Sequence, residues 1–378
     1  DIIPWATPGT AMPDGRLIET KPIVGIPSEG MCCSARELGL GDDHGGILIM
    51  DPSTPIGVPY GQALGLAEEI VYDIDVLRNR PDAYGKVGVA RDLAARFNVP
   101  FTLNNPTLVV SGPAKSAPVD IVAGDRCARF TTIIISGIRI APSPDWMVSR
   151  LAASGMRSIN NVVDVSNYVM LETNQPNHAY DFATLGGGGF KIRLAADGET
   201  MITLDGVERA LTTDDLLICD ATDRPIGIAG IMGGQNTEIS DSTNTIALET
   251  AWFEPVGIMQ SVARLSLRTE ASARNERGMD PFGIDQSIAR FVELLRLTCP
   301  DLVVHEGMVD ARSSSIPTPT VIAVRPTRVS ALLGASFTLE QIRSLIEPIG
   351  FGCATSGESL AVTVPSWRPD CTLEIDIV

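Results

Sequence analysis

Several features that mark common protein classes are missing from this 378-residue sequence. No apolar run approaches the roughly 20 residues that a membrane span needs, so no membrane partner is expected. The N-terminus DIIPWATPG has neither a basic n-region nor an apolar h-region, so we expect no signal peptide. It also lacks Met, and the end EIDIV stops inside an apolar-acidic pattern, so we expect a piece of a longer chain.

Cysteine and positive charge are scarce as well. The count of 7 cysteines is odd and includes no C-x-x-C pair, which argues against a zinc site or disulfide framework and favours a reducing cytosol. A net charge of −17 disfavours attraction of nucleic acid to the whole molecule. Any RNA contact must therefore come from a local basic patch or from a partner subunit.

A hydrophobic content of 44% is ample for a core, and composition divides the chain into four segments. These are residues 1–55, 56–105, 106–312 and 313–378. The first is rich in Gly, Pro and short β-type runs, with helix predicted only at 34–40. The second contains a clear helix at 87–97, which Pro100 follows. A Ser/Pro/Thr-rich hinge at 313–320 opens the last segment.

The two larger segments mix strand and helix signals, which predicts an α/β and α+β multidomain protein. Strands are predicted around 119–140, 162–171, 200–204, 216–219, 245–249, 320–324 and 360–365. Helices are predicted at 143–155, 284–297 and 328–334 and after the capping box Thr338–Gln341. Ser143 is the expected N-cap of the first of these helices.

Two stretches are rich in glycine, which allows the backbone to pack closely against other groups. LGGGGF (185–190) lacks the Lys-Ser/Thr of a P-loop and the G-x-G-x-x-G spacing, so we predict a flexible turn. IAGIMGGQ (228–235) is either a tight turn between strands or a place where backbone approaches a ligand.

Charged residues in unusual settings are the next candidates. Glu249 lies inside the apolar strand ALETAWF. If it is buried, its carboxylate must have a partner or face a cavity. The alternative is a solvated face or an ion pair. Arg268, Arg274 and Arg277 either meet phosphate or carboxylate groups or form a solvated face with internal pairs. WRPDCTLEID (367–376) carries oxygen ligands of the type hard cations prefer, although acidic loops without metal are commoner.

His178, one of 3 histidines, lies in NQPNHAYD (174–181). An ordinary structural role is the simplest interpretation. A hydrolase triad with Ser166 and Asp181 is disfavoured because the sequence has no G-x-S-x-G nucleophile elbow.

Together these stretches resemble the β subunit of bacterial phenylalanyl-tRNA synthetase, and the resemblance covers the whole chain. It is carried by residues 27–51, NRPDAYGKVGVARDLAA (79–95), RSINNVVDVSNYVMLETNQPNHAYD (157–181), RTEASARNERGMDP (268–281) and VPSWRPDCTLEIDIV (364–378). It implies a partial OB-fold β-barrel of a tRNA-binding domain (1–55), a linking α/β module (56–105), a mixed α/β editing domain of B3/B4 type (106–312) and a truncated winged-helix-like B5 module (313–378). The family's subunit is longer, so the resemblance implies a chain without the N-terminus and C-terminal half.

The resemblance also implies a function. In that family the α subunit uses ATP to charge tRNA(Phe), while the β editing domain hydrolyses mischarged Tyr-tRNA(Phe) in a cytoplasmic α2β2 tetramer. An apolar pocket rejects an added hydroxyl only about 10²-fold, so a second site must demand that hydroxyl. A carboxylate at the end of an apolar pocket does so, because Phe would leave it unpaired.

Residue by residue, the resemblance assigns a site. The catalytic residues would be His178, Glu249 and Thr269, with Glu249 reading the phenol and His178 near the scissile ester. The substrate-binding residues would be Arg157, Ser166, Asn167, Pro176, Gly233 and Ala271. We favour a positioned water that attacks the ester with help from the terminal ribose hydroxyl, while His178 orients it. Ala229 replaces a family glycine, with little effect expected.

Asp370 and Asp376 match two of four acidic positions that the family uses for Mg²⁺ near the αβ interface, and the other two would follow Val378. Two further functions stay open: a structural tRNA-docking subunit with a decayed pocket, and a freestanding editing protein. The intact site residues argue against the first, and the flanking segments argue against the second. No class II synthetase motif set is recognisable, so this chain is not expected to consume ATP alone, and DNA is not an expected partner.

Overall fold

The structure is a computed structural model that describes residues 1–41, 43–63 and 70–378. These residues belong to two compact units, Asp1–Tyr72 and Asp73–Val378. Along the described ranges, no helix is long and apolar enough to cross a membrane.

The first unit consists of short strands and turns. Its elements are β1 (Trp5–Ala6), β2 (Lys21–Ile23), β3 (Ile26–Ser28), β4 (Met31–Cys32) and α1 (Tyr60–Ala63). β1 pairs with β4 and β2 pairs with β3, all antiparallel. The helix predicted at 34–40 is wrong. Ser34 and Glu37 form the reciprocal bonds of a capping box, but only turns follow, and Gly39 ends them with a φ of 71°. The OB-fold assignment of this segment stays a prediction.

The second unit contains the remaining elements. Its strands are β5 (Gly112–Ala114), β6 (Val119–Ile121), β7 (Cys127–Ser136), β8 (His178–Asp181), β9 (Phe190–Leu194), β10 (Thr200–Ile202), β11 (Glu208–Ala210), β12 (Leu216–Asp220), β13 (Pro225–Ile228), β14 (Met232–Gly233), β15 (Thr245–Phe253), β16 (Val303–Glu306), β17 (Val309–Arg312), β18 (Val321–Val324), β19 (Gly352–Ser356) and β20 (Ser359–Thr363). Its helices are α2 (Lys86–Phe97), α3 (Asp145–Ala153), α4 (Asn161–Thr173), α5 (Pro255–Leu265), α6 (Glu270–Asn275), α7 (Ile284–Leu295), α8 (Pro326–Leu333), α9 (Leu339–Ile346) and α10 (Glu374–Ile377).

The central sheet has the order β5-β16-β7-β15-β8, and β17 also pairs with β7. Its long strands β7 and β15 are buried on both faces, and even their polar residues, such as Arg129 and Glu249, are buried. On one face Ala247 and Ala251 join the core shared with the sheet β14-β13-β12-β9-β6. On the other face Ile246 and Leu248 pack in a second core with α3, α4 and α7. The strand β15 therefore lies between two layers.

Helix α4 corrects one prediction, because residues 162–171 were expected to be a strand. Asn160 begins the helix by accepting hydrogen bonds from the Val162 and Val163 N–H groups. Val162, Val165 and Val169 are all buried, at the spacing of one helical face. That spacing and the N-cap outweigh the β-propensity of the valines.

The predicted helices at 87–97 and 284–297 are confirmed, as is the Thr338 capping box that opens α9. The prediction of Ser143 as the N-cap of α3 is wrong: the helix begins at Asp145, and the Ser143 hydroxyl instead donates to buried Asp164 at 2.7 Å.

A separate sheet consists of β18, β20 and β19 and packs with α8 and α9 around its own apolar cluster.

Arg129 connects two strands of the central sheet with a helix. Its guanidinium is fully buried and donates to Asp310 at 2.8 Å, to Asp285 at 2.9 Å and to the Pro281 carbonyl at 2.8 Å. Burial raises the pKa of Asp310, but the hydrogen bonds from Arg129 and Arg312 outweigh it and lower that pKa to about 2. Arg129 therefore links β7 to β17 and to the start of α7.

Candidate active site

A small cavity lies between the central sheet and the turn that joins β13 to β14. Its volume is about 80 Å³, and it is called the inner cavity below. Apolar side chains such as Ile218, Ile228 and Phe253 form much of its wall. Glu249 and His178 supply its ionisable groups, together with the hydroxyl of Tyr180.

A larger cavity of about 580 Å³ adjoins the first and is called the outer cavity below. The two share His178, Gly233 and Ala271 among their lining residues. The expected site residues that line one or both cavities are His178, Glu249, Thr269, Arg157, Ser166, Asn167, Pro176, Gly233 and Ala271. The fold thus brings together the nine residues of the expected editing site, drawn from distant parts of the sequence.

Glu249 is almost completely buried, at 6% exposure. Its Oε2 accepts a hydrogen bond from the Tyr180 hydroxyl at 3.0 Å. Burial raises the pKa of Glu249 to about 7, although the Tyr180 hydrogen bond acts in the opposite direction. Oε1 accepts no hydrogen bond from the described residues. One carboxylate oxygen is therefore free to accept a hydrogen bond from a ligand.

His178 lies opposite Glu249 in the register of the β8–β15 pair. Burial lowers the pKa of His178 to about 4, so the imidazole is neutral at neutral pH. Its Nε2 is buried and has no hydrogen-bond partner in the part of the chain that the structure describes. A Cβ added at Gly233 would lie 2.8 Å from Nε2, so the backbone of β14 approaches the ring as only glycine permits. The turn that IAGIMGGQ predicts between strands is therefore confirmed, whereas its close approach to a ligand stays a prediction.

Thr269 forms the N-cap of α6 in a reciprocal capping box with Ser272. Its hydroxyl also donates to the Ile231 carbonyl at 2.8 Å, which attaches α6 to the β13–β14 turn. This attachment places Ala271 and Asn275 on the cavity wall. The Oδ1 of Asn275 is buried and has no partner within the described ranges, so it is a further available acceptor.

Tyr180 and Asn275 were not expected in the site. A signal for Tyr180 exists in the sequence, because it stands two residues after His178 and such residues share a face of a strand. That signal requires knowing that 178–181 is a strand, which the sequence did not indicate.

The disfavoured triad does not form. The Ser166 hydroxyl donates to the Asn177 carbonyl at 2.8 Å, and Asp181 accepts from the Thr243 hydroxyl at 2.7 Å and from Ala183 N–H. Neither group is bonded to His178, which agrees with the missing nucleophile elbow.

The arginines of 268–281 form internal pairs, but the predicted solvated face is wrong for Arg274 and Arg277, whose side chains are buried. Arg274 donates to Glu270 at 2.7 Å, and Arg277 pairs with Glu276 at 2.9 Å. Arg268 is more exposed and also reaches Glu276, at 3.2 Å.

The expected metal ligands lie away from both cavities. Asp370 forms two hydrogen bonds with Arg368, and Asp376 accepts the N–H groups of Thr372 and Leu373, at 2.8 Å each. Within the described ranges, no group of three or more His, Cys, Asp or Glu side chains is arranged to hold a metal ion. The residues present therefore do not fit a Mg²⁺ site in this arrangement.

Comparison with known families matches two models to this chain. Residues 126–300 match the B3/4 domain, which contains both cavities, and residues 322–378 match the tRNA synthetase B5 domain. These two domains identify the class of protein as a subunit of an aminoacyl-tRNA synthetase.

Curated relatives narrow that class. The phenylalanine--tRNA ligase beta subunit of Anaeromyxobacter dehalogenans is 41% identical over 100% of this chain and 47% of the relative. That of Carboxydothermus hydrogenoformans is 38% identical over 99% and 47% respectively. The chain belongs to the family of phenylalanine--tRNA ligase beta subunits, as the resemblance implied, and it spans about half the length of these relatives. Among solved structures, an N-terminal fragment of the phenylalanyl-tRNA synthetase beta-subunit from Pyrococcus horikoshii covers 79% of this chain and 82% of its own, at 13% identity and a TM-score of 0.39, which is too low to establish a shared fold.

Proposed function

We propose that the two cavities form an editing site that hydrolyses Tyr-tRNA(Phe). The observation that carries this proposal is the Glu249 carboxylate, buried among apolar walls with one oxygen free. The tyrosyl ring would enter the inner cavity, and its phenol would donate to Oε1. Phe has no hydroxyl to donate there. Its ring would displace water from Oε1 and leave the carboxylate without a hydrogen bond, which would weaken binding by about 1–3 kcal/mol. The site thereby demands the hydroxyl that a charging pocket rejects only weakly.

Hydrolysis would take place where the cavities meet. The outer cavity is large enough to receive the terminal nucleoside, with exposed Arg157 at its wall. His178 is neutral at neutral pH, so it can accept a hydrogen bond from a water and orient it towards the ester carbonyl. The terminal ribose hydroxyl would assist this attack by its proximity. Thr269 contributes by holding α6 against the turn beside Gly233.

The wider role follows from the family. This chain would act with an α subunit that uses ATP and Mg²⁺ to charge tRNA(Phe), in a cytoplasmic α2β2 tetramer. The net charge of −17 means that the assembly rather than this chain would supply most of the attraction for tRNA. Asp370 and Asp376 have no part in this proposal, because their carboxylates already accept hydrogen bonds from Arg368 and from two backbone N–H groups.

The test is to assemble the synthetase with its α partner and to measure Tyr-tRNA(Phe) accumulation with and without Glu249→Ala. We expect the parent to clear Tyr-tRNA(Phe) and the variant to accumulate it, while the rate of Phe charging stays the same. Glu358→Ala, a change of an exposed glutamate, is the matched control. Equal accumulation by parent and Glu249→Ala would instead support a subunit that only docks tRNA, with an inactive pocket.

A further inference from the structure

Tyr180 bonds to Glu249 in the wall of the inner cavity, although its own ring lies within the core. Its exposure is 1%, and its hydroxyl donates to Oε2 of Glu249 at 3.0 Å. The ring is held on two sides by edge-on contacts, with centroids 5.2 Å from Phe190 and 4.5 Å from His178. A ring packed in this way cannot carry its hydroxyl to another partner without opening the core.

The register of the sheet explains why the two groups meet. Tyr180 lies opposite Ala247 and His178 lies opposite Glu249 in the β8–β15 pair. Residues two apart on a strand share a face, so Tyr180 and Glu249 are diagonal neighbours within reach of a long side chain.

We propose that Tyr180 is a positioning residue that sets the specificity of the pocket, because it holds Oε2 of Glu249 and leaves Oε1 for the hydroxyl of a tyrosyl ester. This inference rests on the proposed editing function and deepens it. A carboxylate with both oxygens free could rotate and would offer its acceptor in several places. With one oxygen fixed by Tyr180, the other accepts from one direction, so the phenol must reach one point on the cavity wall.

The hydroxyl also controls the charge of Glu249. Burial raises the pKa of this carboxyl to about 7, and the Tyr180 hydrogen bond opposes that rise. Loss of the hydroxyl would leave more of Glu249 protonated at neutral pH. A protonated carboxyl is a weaker acceptor for phenol and costs less to leave unpaired, so Phe would be tolerated better.

The other groups that face Glu249 do not change charge near neutral pH. On β8, burial lowers the pKa of His178 to about 4 and raises that of Tyr180 well above its usual value. On β7, burial raises the pKa of the Cys127 thiol. Helix α6 presents the uncharged Asn275. The α-amino group of the ester substrate also titrates in this range, but it is common to parent and variant. The difference between their pH profiles from 6 to 9 therefore reports on Glu249.

The experiment is Tyr180→Phe in the assembled synthetase, with hydrolysis of preformed Tyr-tRNA(Phe) and Phe-tRNA(Phe) measured between pH 6 and 9. We expect the Tyr-ester rate at pH 7 to fall about tenfold, as the loss of one hydrogen bond predicts. The rising limb of the pH profile should move to higher pH, and the ratio of Tyr-ester to Phe-ester hydrolysis at pH 7 should fall. Tyr168→Phe is the matched control, because that hydroxyl bonds with Arg150 away from the cavity, and it should behave as the parent does.

The other outcomes distinguish a failure of this inference from a failure of the proposed editing function. If Tyr180→Phe matches the parent in rate, ratio and profile while Glu249→Ala has lost clearance, editing stands and this inference is wrong. If the parent does not hydrolyse Tyr-tRNA(Phe), the proposed function is wrong and the inference falls with it. Should Tyr180→Phe fail to fold, Glu249→Gln replaces it: the amide keeps an acceptor for Tyr180 but cannot titrate, so an unchanged pH limb would overturn the proposal.

Discussion

His178 and Glu249 lie opposite each other on antiparallel strands, and burial moves their pKa values in opposite directions, to about 4 and about 7. Between these values both side chains are neutral in the folded protein. The pair is thus two uncharged groups at moderately acid pH, and the site gains its carboxylate only near neutrality.

This relationship predicts a pH-dependent stability. Glu249 has a raised folded pKa, so its contribution is fully present below the usual value of 4.5 and is lost as pH rises through about 7. His178 has a lowered folded pKa, so its contribution is present above 6.5 and is lost as pH falls through about 4. The two effects oppose each other across the range they share. Glu249→Gln should therefore gain stability relative to the parent as pH rises from 4.5 to 7, by up to about 3 kcal/mol in total.

Urea unfolding at several pH values measures this difference. Glu358→Gln changes an exposed glutamate and should follow the parent at every pH. A constant offset between Glu249→Gln and the parent would show that Glu249 titrates alike in the folded and unfolded states.

Gly233→Ala should abolish clearance of Tyr-tRNA(Phe) while the protein stays folded. The new Cβ would lie 2.8 Å from the His178 ring, which must then leave its position. Gly352→Ala is the matched control, because its Cβ would make only an ordinary contact of 3.4 Å with Thr363. Single-turnover deacylation with saturating enzyme measures the effect, and retained activity in Gly233→Ala would mean that the ring position is unimportant.

Thr269→Val should lower both stability and editing, whereas Thr338→Val should lower stability alone. Each threonine is the N-cap of a helix in a capping box, and loss of such a cap costs about 1 kcal/mol. Only Thr269 also bonds to the β13–β14 turn at the cavity, through the Ile231 carbonyl. Thermal unfolding and Tyr-tRNA(Phe) deacylation should be compared for the two variants, and equal editing loss in both would refute a local role of Thr269.

Arg129→Met should destabilise the second unit by roughly 2–4 kcal/mol, because it leaves Asp310 and the Pro281 carbonyl without their buried donor. Arg312→Met removes another partner of Asp310, but Arg312 is 47% exposed, so its loss should cost less than about 1 kcal/mol. The midpoint of urea unfolding for the two variants measures this contrast. Similar losses would assign the stabilisation to net charge rather than to burial.

The sequence predicted the helices with strong periodicity or explicit caps, such as α2, α7 and α9. It misjudged α4, whose valines have high β-propensity but fall on one buried helical face. It misjudged 34–40 because the Ser34–Glu37 capping pair opens only turns, which Gly39 ends with a φ of 71°. Local preference alone does not decide such segments, since tertiary packing and side-chain bonds contribute similar energies.

Predictions for the candidate site were likewise partly successful. Glu249 and His178 were selected from motifs, and the fold brings them into one register pair, although their roles stay proposals. Tyr180 was missed because its importance depends on a hydrogen bond between residues 69 positions apart in the chain. Contacts of that range are set by the pairing of strands, which the sequence of β8 alone does not determine.

The position of β15 between β7 and β8 has a consequence for fidelity under stress. Residues of central, doubly covered strands open only in the costliest fluctuations, whereas edges and loops fray readily. Glu249, the group that would distinguish Tyr from Phe, therefore loses its position only when the whole unit unfolds. As heat or denaturant approaches the unfolding transition, we expect the population to divide into discriminating and inactive molecules, with no intermediate that hydrolyses correctly charged tRNA.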